Sequence, residues 1–196
     1  MKYLASFAVA FLVTASVFAQ GGGYQLGSKV ADFSLKDSQN KSVSLSEFAR
    51  SKAVVVVFTN NQCPYSKLYE NRLVTLSKSY DPQGVQFVFI NPTVGLGEGS
   101  DKLEDLAAKN YGFPYLADEG QKISQRFGAT KTPEVFVLHN TNGEFVLKYK
   151  GAIDDNPQVE TNVKNNYLKS VIDEVLANKT VTTLDKRPTG CMIKKY

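Results

Sequence analysis

Two cysteines, Cys63 and Cys191, are the residues whose type and setting point most directly to chemistry. Cys63 lies in Phe58-Thr-Asn-Asn-Gln-Cys63-Pro-Tyr-Ser66, between an apolar β-branched run and a stretch with helical spacing. At a helix N-terminus, backbone N–H groups and the helix dipole favour a thiolate over a thiol. The thiolate is the species that attacks disulfides or peroxides. The bland alternative is an ordinary core cysteine, a common use of that side chain. Pro64 weighs against it, because a proline suits the first helical turn, where its missing N–H needs no partner. Ser66 could donate a hydrogen bond to a Cys63 thiolate, but a hydroxyl cannot resolve a mixed disulfide. A second segment, Gly128-Ala-Thr-Lys-Thr132-Pro133-Glu-Val-Phe-Val, places a proline between a helix-stopping glycine and a strand. That is a candidate cis peptide, with an ordinary trans strand-entry proline as the alternative.

Other polar residues carry weaker signals. Lys131 could hold a nearby thiolate by charge attraction, though a solvent-facing lysine is the simpler reading. His139, the single histidine, has no second histidine with which to build a His/Cys metal site. Asp154 and Asp155 read as a solvated turn. Gly95 to Gly99 lack the Lys and Ser/Thr of a phosphate loop, which argues against nucleotide binding. Asn178-Lys-Thr180 fits a glycosylation acceptor.

The elements that would position Cys63 follow from periodicity. Asp32–Lys36 and Ser42–Leu45 alternate around Gln39-Asn40-Lys41, as in a β-hairpin, with a short turn or helix at Ser46–Phe48. Ala53–Thr59 is apolar on both faces, which places it in the middle of a covered sheet. Pro64–Tyr80 carries Tyr65, Leu68, Tyr69, Leu73, Leu76 and Tyr80 at helical spacing. Asp81–Gly84 is a turn, and Val85–Ile90 a second buried strand. Beyond the glycine loop, Ser100 is expected to cap a helix to about Lys109. Tyr115–Ala117 is a short strand, and Glu119–Phe127 a helix stopped by Gly128. Glu134–Leu138 and Glu144–Lys150 flank Asn142-Gly143, a hairpin signal. Val159, Val163, Tyr167, Val171 and Val175 predict one long helix over Val159–Leu176. The tail from Thr180 has no periodicity.

The 196 residues carry a net charge of +4, with scattered basic groups, which points away from nucleic acid. Lys2, the apolar run Leu4–Phe18 and Val17-Phe18-Ala19 read as a signal peptide over 1–19. The run is too short to span a bilayer. With no repeat and no composition break, 20–196 reads as one domain.

Taken in order, these segments resemble the thioredoxin-like redoxins of the alkyl hydroperoxide reductase and thiol-specific antioxidant type. More narrowly, they are similar to a subgroup with a Cys-Asn-His-Cys-Pro-Tyr motif. The matching stretches are Leu26–Leu35, Cys63-Pro-Tyr through Tyr69-Glu-Asn-Arg-Leu73, Val88–Pro92, Phe113–Gln121, Gly128–Val137, Gly151–Asn156 and Gly190-Cys-Met-Ile-Lys194. The resemblance implies an α/β, thioredoxin-like fold: a three-layer α/β/α sandwich with a central mixed sheet, an N-terminal β-hairpin and a helical insert. It also implies catalysis centred on Cys63, with Tyr65, Ser66, Thr132 and Pro133 as the candidate substrate contacts around it. Asn60 and Ser66 stand where relatives hold further cysteines, so no local dithiol exists. Cys191 is then the resolving candidate within the chain. A redox-active pair, a static disulfide and two unrelated thiols all remain open, because connectivity is not legible in sequence.

The leading expectation is an exported thiol-disulfide oxidoreductase, periplasmic or extracellular. It would act on protein or small-molecule thiols and disulfides, with no cofactor, no nucleic acid and no stable membrane anchor. A thiol peroxidase acting on peroxides is the alternative, for which Arg72 or Arg126 would have to supply the cation that polarises the peroxide. A redox-inactive binding module is the third.

Overall fold

The computed structural model describes residues 22–195. The expected signal peptide over 1–19 lies outside them.

The β-branched run forms β3 (Ala53–Phe58), and every residue in it is buried. It is the centre of an eight-stranded sheet. Beside it lie β4 (Val85–Asn91), parallel, and β7 (Glu134–Thr141), antiparallel. On the β4 side follow β5 (Tyr115–Ala117), β1 (Ser34–Asp37) and β2 (Ser42–Ser44). On the β7 side follow β8 (Glu144–Gly151) and β9 (Asp185–Lys186). The mixed sheet, the N-terminal hairpin and the segment between β4 and β5 match the expected architecture.

Alternation along β3 divides the core. Ala53, Val55 and Val57 face a cluster with Tyr69 and Leu73 of α1 (Pro64–Tyr80) and Leu168, Val171 and Ile172 of α4 (Tyr167–Leu176). Val54, Val56 and Phe58 face the other cluster, with Ile123 and Phe127 of α3 (Lys122–Phe127). Successive strand residues point to opposite faces, so one short run anchors both layers of helices. The third layer is closed by Phe127, whose ring meets Phe58, Phe136, Phe33 and Tyr24 edge-on.

Several boundaries differ from the sequence reading. The long helix expected over Val159–Leu176 begins only at Tyr167. Val159 is exposed, a single 3-10 turn spans Glu160–Asn162, and Asp155 accepts hydrogen bonds from Lys164 N and Asn165 Nδ2. Local polar bonds thus outcompete the helix in that stretch. The helix expected from Ser100 to Lys109 shrinks to α2 (Leu103–Ala107). Ser100 Oγ is diverted to the Gly97 carbonyl, while Asp105 accepts from Lys102 N. The helix expected from Glu119 starts at Lys122, because Asp118 receives the N–H groups of Ile123 and Ser124 at 3.0 and 2.7 Å. The tail that lacked periodicity forms β9 and also β10 (Cys191–Met192), which pairs with β6 (Lys131–Thr132) as a separate two-stranded ribbon. No helix among the described residues is long and apolar enough to cross a membrane.

Candidate active site

The carboxyl end of β3 delivers the chain into Thr59–Gln62, and Cys63 becomes the N-cap of α1 with extended backbone (φ −72°, ψ 120°). Pro64 takes the first helical position, as expected. Asn60 shapes this turn. Its Oδ1 accepts from Gln62 N at 3.0 Å and from Cys63 N at 2.7 Å, and its Nδ2 donates to Thr132 Oγ1 at 3.2 Å.

Below the turn lies Asp101, fully buried. Its carboxylate accepts from Asn61 N (2.7 Å), Asn91 Nδ2 (2.6 Å) and Gln62 Nε2 (3.0 Å). Tyr115 completes the web, with its hydroxyl donating to Asn61 Oδ1 and accepting from Asn91 Nδ2, both at 3.1 Å. Burial pushes the Tyr115 hydroxyl well above its ordinary titration range, and the Asp101 charge adds to that. It therefore stays a neutral donor.

Opposite Cys63 is the loop before β7, where the Thr132–Pro133 peptide is cis, as the sequence suggested. Glu134 clamps the loop. Its Oε2 accepts from Thr130 N (2.7 Å), Lys131 N (3.0 Å) and Thr130 Oγ1 (3.2 Å). Burial raises the Glu134 titration, and those hydrogen bonds oppose the shift without cancelling it.

The two cysteines are joined: Cys63 and Cys191 form a disulfide with a Cα–Cα distance of 5.9 Å across 128 residues of sequence. Of the three sequence-level possibilities, two unrelated thiols is thereby removed. The tail reaches Cys63 by pairing with the cis-proline loop, Cys191 opposite Thr132 and Met192 opposite Lys131. Ile193 N donates to Thr130 O at 2.9 Å, and Gln121 Nε2 donates to Lys194 O at 2.7 Å. Gly190 permits this approach, because a Cβ there would lie 2.4 Å from the Thr132 carbonyl oxygen. Cys63 is only 2 % exposed, and its Sγ sits 3.0 Å from that carbonyl oxygen.

The expected contact residues gather here in part. Thr132 and Pro133 are buried, the Thr132 carbonyl lying against Cys63, Ser66 is buried one helical turn along, and Tyr65 is half-exposed. Ser66 Oγ is the one buried side-chain polar atom among the described residues without a hydrogen-bond partner.

The two arginines considered for peroxide polarisation are engaged elsewhere. Arg72 binds Asp154 (2.9 Å) and the carbonyls of Asn156 (2.7 Å) and Pro157 (3.2 Å). Arg126 donates to Tyr24 Oη and to the Ala31 carbonyl. Asp154, expected to be solvated, is instead buried, accepting from Tyr69 Oη at 2.6 Å as well as from Arg72. Asp155 alone meets that expectation. A cleft of about 390 Å³ lined by residues including Leu26, His139, Lys148 and Val181 lies by the opposite end of β3, away from the disulfide.

Sequence reasoning missed Asn60, Asp101, Glu134 and Gly190. Asn60 was legible in principle, since an Asn accepting from the N–H groups two and three residues on is a known turn habit. Asp101 and Glu134 carried no local signal, because their partners are brought by the fold.

A parallel β3–α1–β4 unit, an antiparallel β7–β8 hairpin, a cis-proline loop and a cysteine capping α1 define a protein of the thioredoxin fold. The chain belongs to the AhpC/TSA family, whose profile matches residues 26–155. Cys191 lies beyond that span. The chain is similar to thiol-disulfide oxidoreductase ResA of Bacillus subtilis, at 25 % identity over 76 % of this chain and 80 % of the relative. It is also similar to the chloroplastic peroxiredoxin Q of Gentiana triflora, at 30 % identity over 76 % of this chain and 68 % of the relative. Among solved structures, a hypothetical protein of Sinorhizobium meliloti 1021 matches with a TM-score of 0.79 and 33 % identity, covering 89 % of this chain and 97 % of its own.

Proposed function

We propose that this chain is an exported thiol-disulfide oxidoreductase whose working couple is Cys63 and Cys191. The observation that carries the reading is the pairing of a helix-capping cysteine with a tail cysteine across a cis-proline loop. A partner dithiol would lose two electrons and two protons and become a disulfide, while Cys63–Cys191 opens to two thiols. The reverse reaction would reduce a partner disulfide. The apolar run Leu4–Phe18 and the disulfide itself both suit an oxidising compartment, periplasmic or extracellular. Tyr65, Thr132 and Pro133 would line the approach to the couple.

The similarity to peroxiredoxin Q supports a second reading, peroxide reduction by Cys63. The engagement of Arg72 and Arg126 elsewhere makes it the weaker of the two. The deciding measurement is turnover of the purified mature protein with a dithiol–disulfide pair and, separately, with hydrogen peroxide plus a dithiol. Exchange lost in Cys63→Ser supports the oxidoreductase. Peroxide turnover lost in the same variant supports the peroxidase. Neither activity would leave a disulfide-locked binding module. Recovery of the chain outside the cytoplasm, cut after Ala19, would test export.

A further inference from the structure

Within that couple, the two sulfurs are not equivalent. Cys63 is 2 % exposed, beneath the tail and against the Thr132 carbonyl. Cys191 is half-buried on the outer strand of the β6–β10 ribbon, next to Met192, which is 69 % exposed. An incoming thiolate must reach the sulfur it attacks, and the sulfur it expels leaves faster the more stable its thiolate. Access favours attack at Cys191, and the setting of Cys63 favours its departure.

The Cys63 setting has two donor sources. The first turn of the 17-residue α1 leaves backbone N–H groups without helical partners. Ser66 stands at the third helical position after the Cys63 cap, from which a side chain can reach back toward the cap. Its hydroxyl is 6 % exposed and bonded to nothing in the disulfide form. A buried hydroxyl left unpaired is costly, so Ser66 carries an unmet donor in the oxidised state. The Thr132 carbonyl cannot donate to a thiolate on Cys63, whereas the α1 side offers donors.

We propose that partners enter at Cys191, that Cys63 is the leaving sulfur, and that the Ser66 hydroxyl receives its charge. The partner thiolate forms a bond to Cys191 Sγ as the Cys63–Cys191 bond breaks. The electron pair leaves on Cys63, where Ser66 Oγ–H and the first-turn N–H groups take it up. The partner's second thiol, having lost its proton to solvent, then attacks the partner's own sulfur in the mixed disulfide. Cys191 is released as a thiolate and is protonated from solvent. The partner is thus a dithiol, and the mixed disulfide is carried on the tail rather than on α1.

This rests on the oxidoreductase reading, and the tests separate the two. The oxidised full-length protein is mixed briefly with 2-mercaptoethanol, quenched with acid, alkylated and mapped by peptide mass. The adduct is expected on Cys191 and the alkyl group on Cys63. An adduct first seen on Cys63 overturns the inference while leaving the oxidoreductase intact, and no reaction with any thiol removes both. In the reduced full-length protein, Ser66→Ala should move the Cys63 alkylation titration up by about one unit, for ~10-fold slower exchange below that pH. An unmoved titration removes the role of Ser66. The oxidised Ser66→Ala protein loses no hydrogen bond, so its denaturation midpoint should hold or rise. A fall there would mark Ser66 as structural and overturn its assignment.

Discussion

Asn60, three residues before Cys63, spends its side chain on geometry. Two hydrogen bonds to its Oδ1 close the β3–α1 turn, and a third, from its Nδ2 to Thr132 Oγ1, ties that turn to the cis-proline loop. Removing a cap-like acceptor costs about 1 kcal/mol. Asn60→Ala should therefore lower the stability of the oxidised protein by about that much in a urea titration. Glu134 gives a pH signature. Its titration is raised by burial above the ordinary value of 4.5, so the folded state holds that proton more tightly than the unfolded chain does. The resulting stability is present below pH 4.5 and is lost as pH rises through the folded-state value. Glu134→Gln should flatten the fall in stability above pH 4.5, seen by comparing denaturation midpoints of the two proteins across pH. A parallel pair of profiles would show that Glu134 is not the group titrating. Glu134 did not announce itself in the sequence, because a carboxylate's partners three or four residues away become partners only once the loop is bent by its neighbours.

At the scale of elements, legibility followed length and burial. β3 was plain because a β-branched run buried on both faces has few other homes. The cis-proline loop was readable because Gly128 and Pro133 punctuate it. α4 was begun eight residues early, since Val159 and Val163 satisfy a helical period that the Asp155 hydrogen bonds override. β10 was invisible, because two residues define no period and its partner is a loop. That strand depends on Gly190. A methyl group 2.4 Å from the Thr132 oxygen cannot be accommodated without moving backbone. Gly190→Ala should keep the tail off β6 and leave Cys63 and Cys191 as free thiols under conditions that oxidise the wild type, counted by alkylation and intact mass. Full oxidation of the variant would show that the tail has another route to Cys63.

For the whole molecule, the disulfide is the covalent cross-link that fastens the tail back onto the core. It closes a loop of 128 residues. Constraining the unfolded chain over such a loop is worth roughly 5 kcal/mol in the chain-entropy account. Reduction should thus lower the unfolding free energy by several kcal/mol, measured by denaturation with and without a dithiol. An unchanged midpoint would mean that the unfolded chain gains little freedom on reduction. The strand and helix order made a mixed sheet with a helical crossover legible and the resemblance implied the three layers, whereas the pairing of two cysteines so far apart was not legible, because only the docked tail brings them together.

That closed loop also changes what a single broken peptide bond can do. The segment from Gly97 to Gly99 is exposed and lies between the two cysteines in the chain. One protease cut there would divide the backbone without dividing the molecule, since both pieces stay fastened through sulfur until a thiol arrives. A nicked sample should run as a single species on a non-reducing gel and as two bands after reduction, so that integrity itself becomes a readout of redox state.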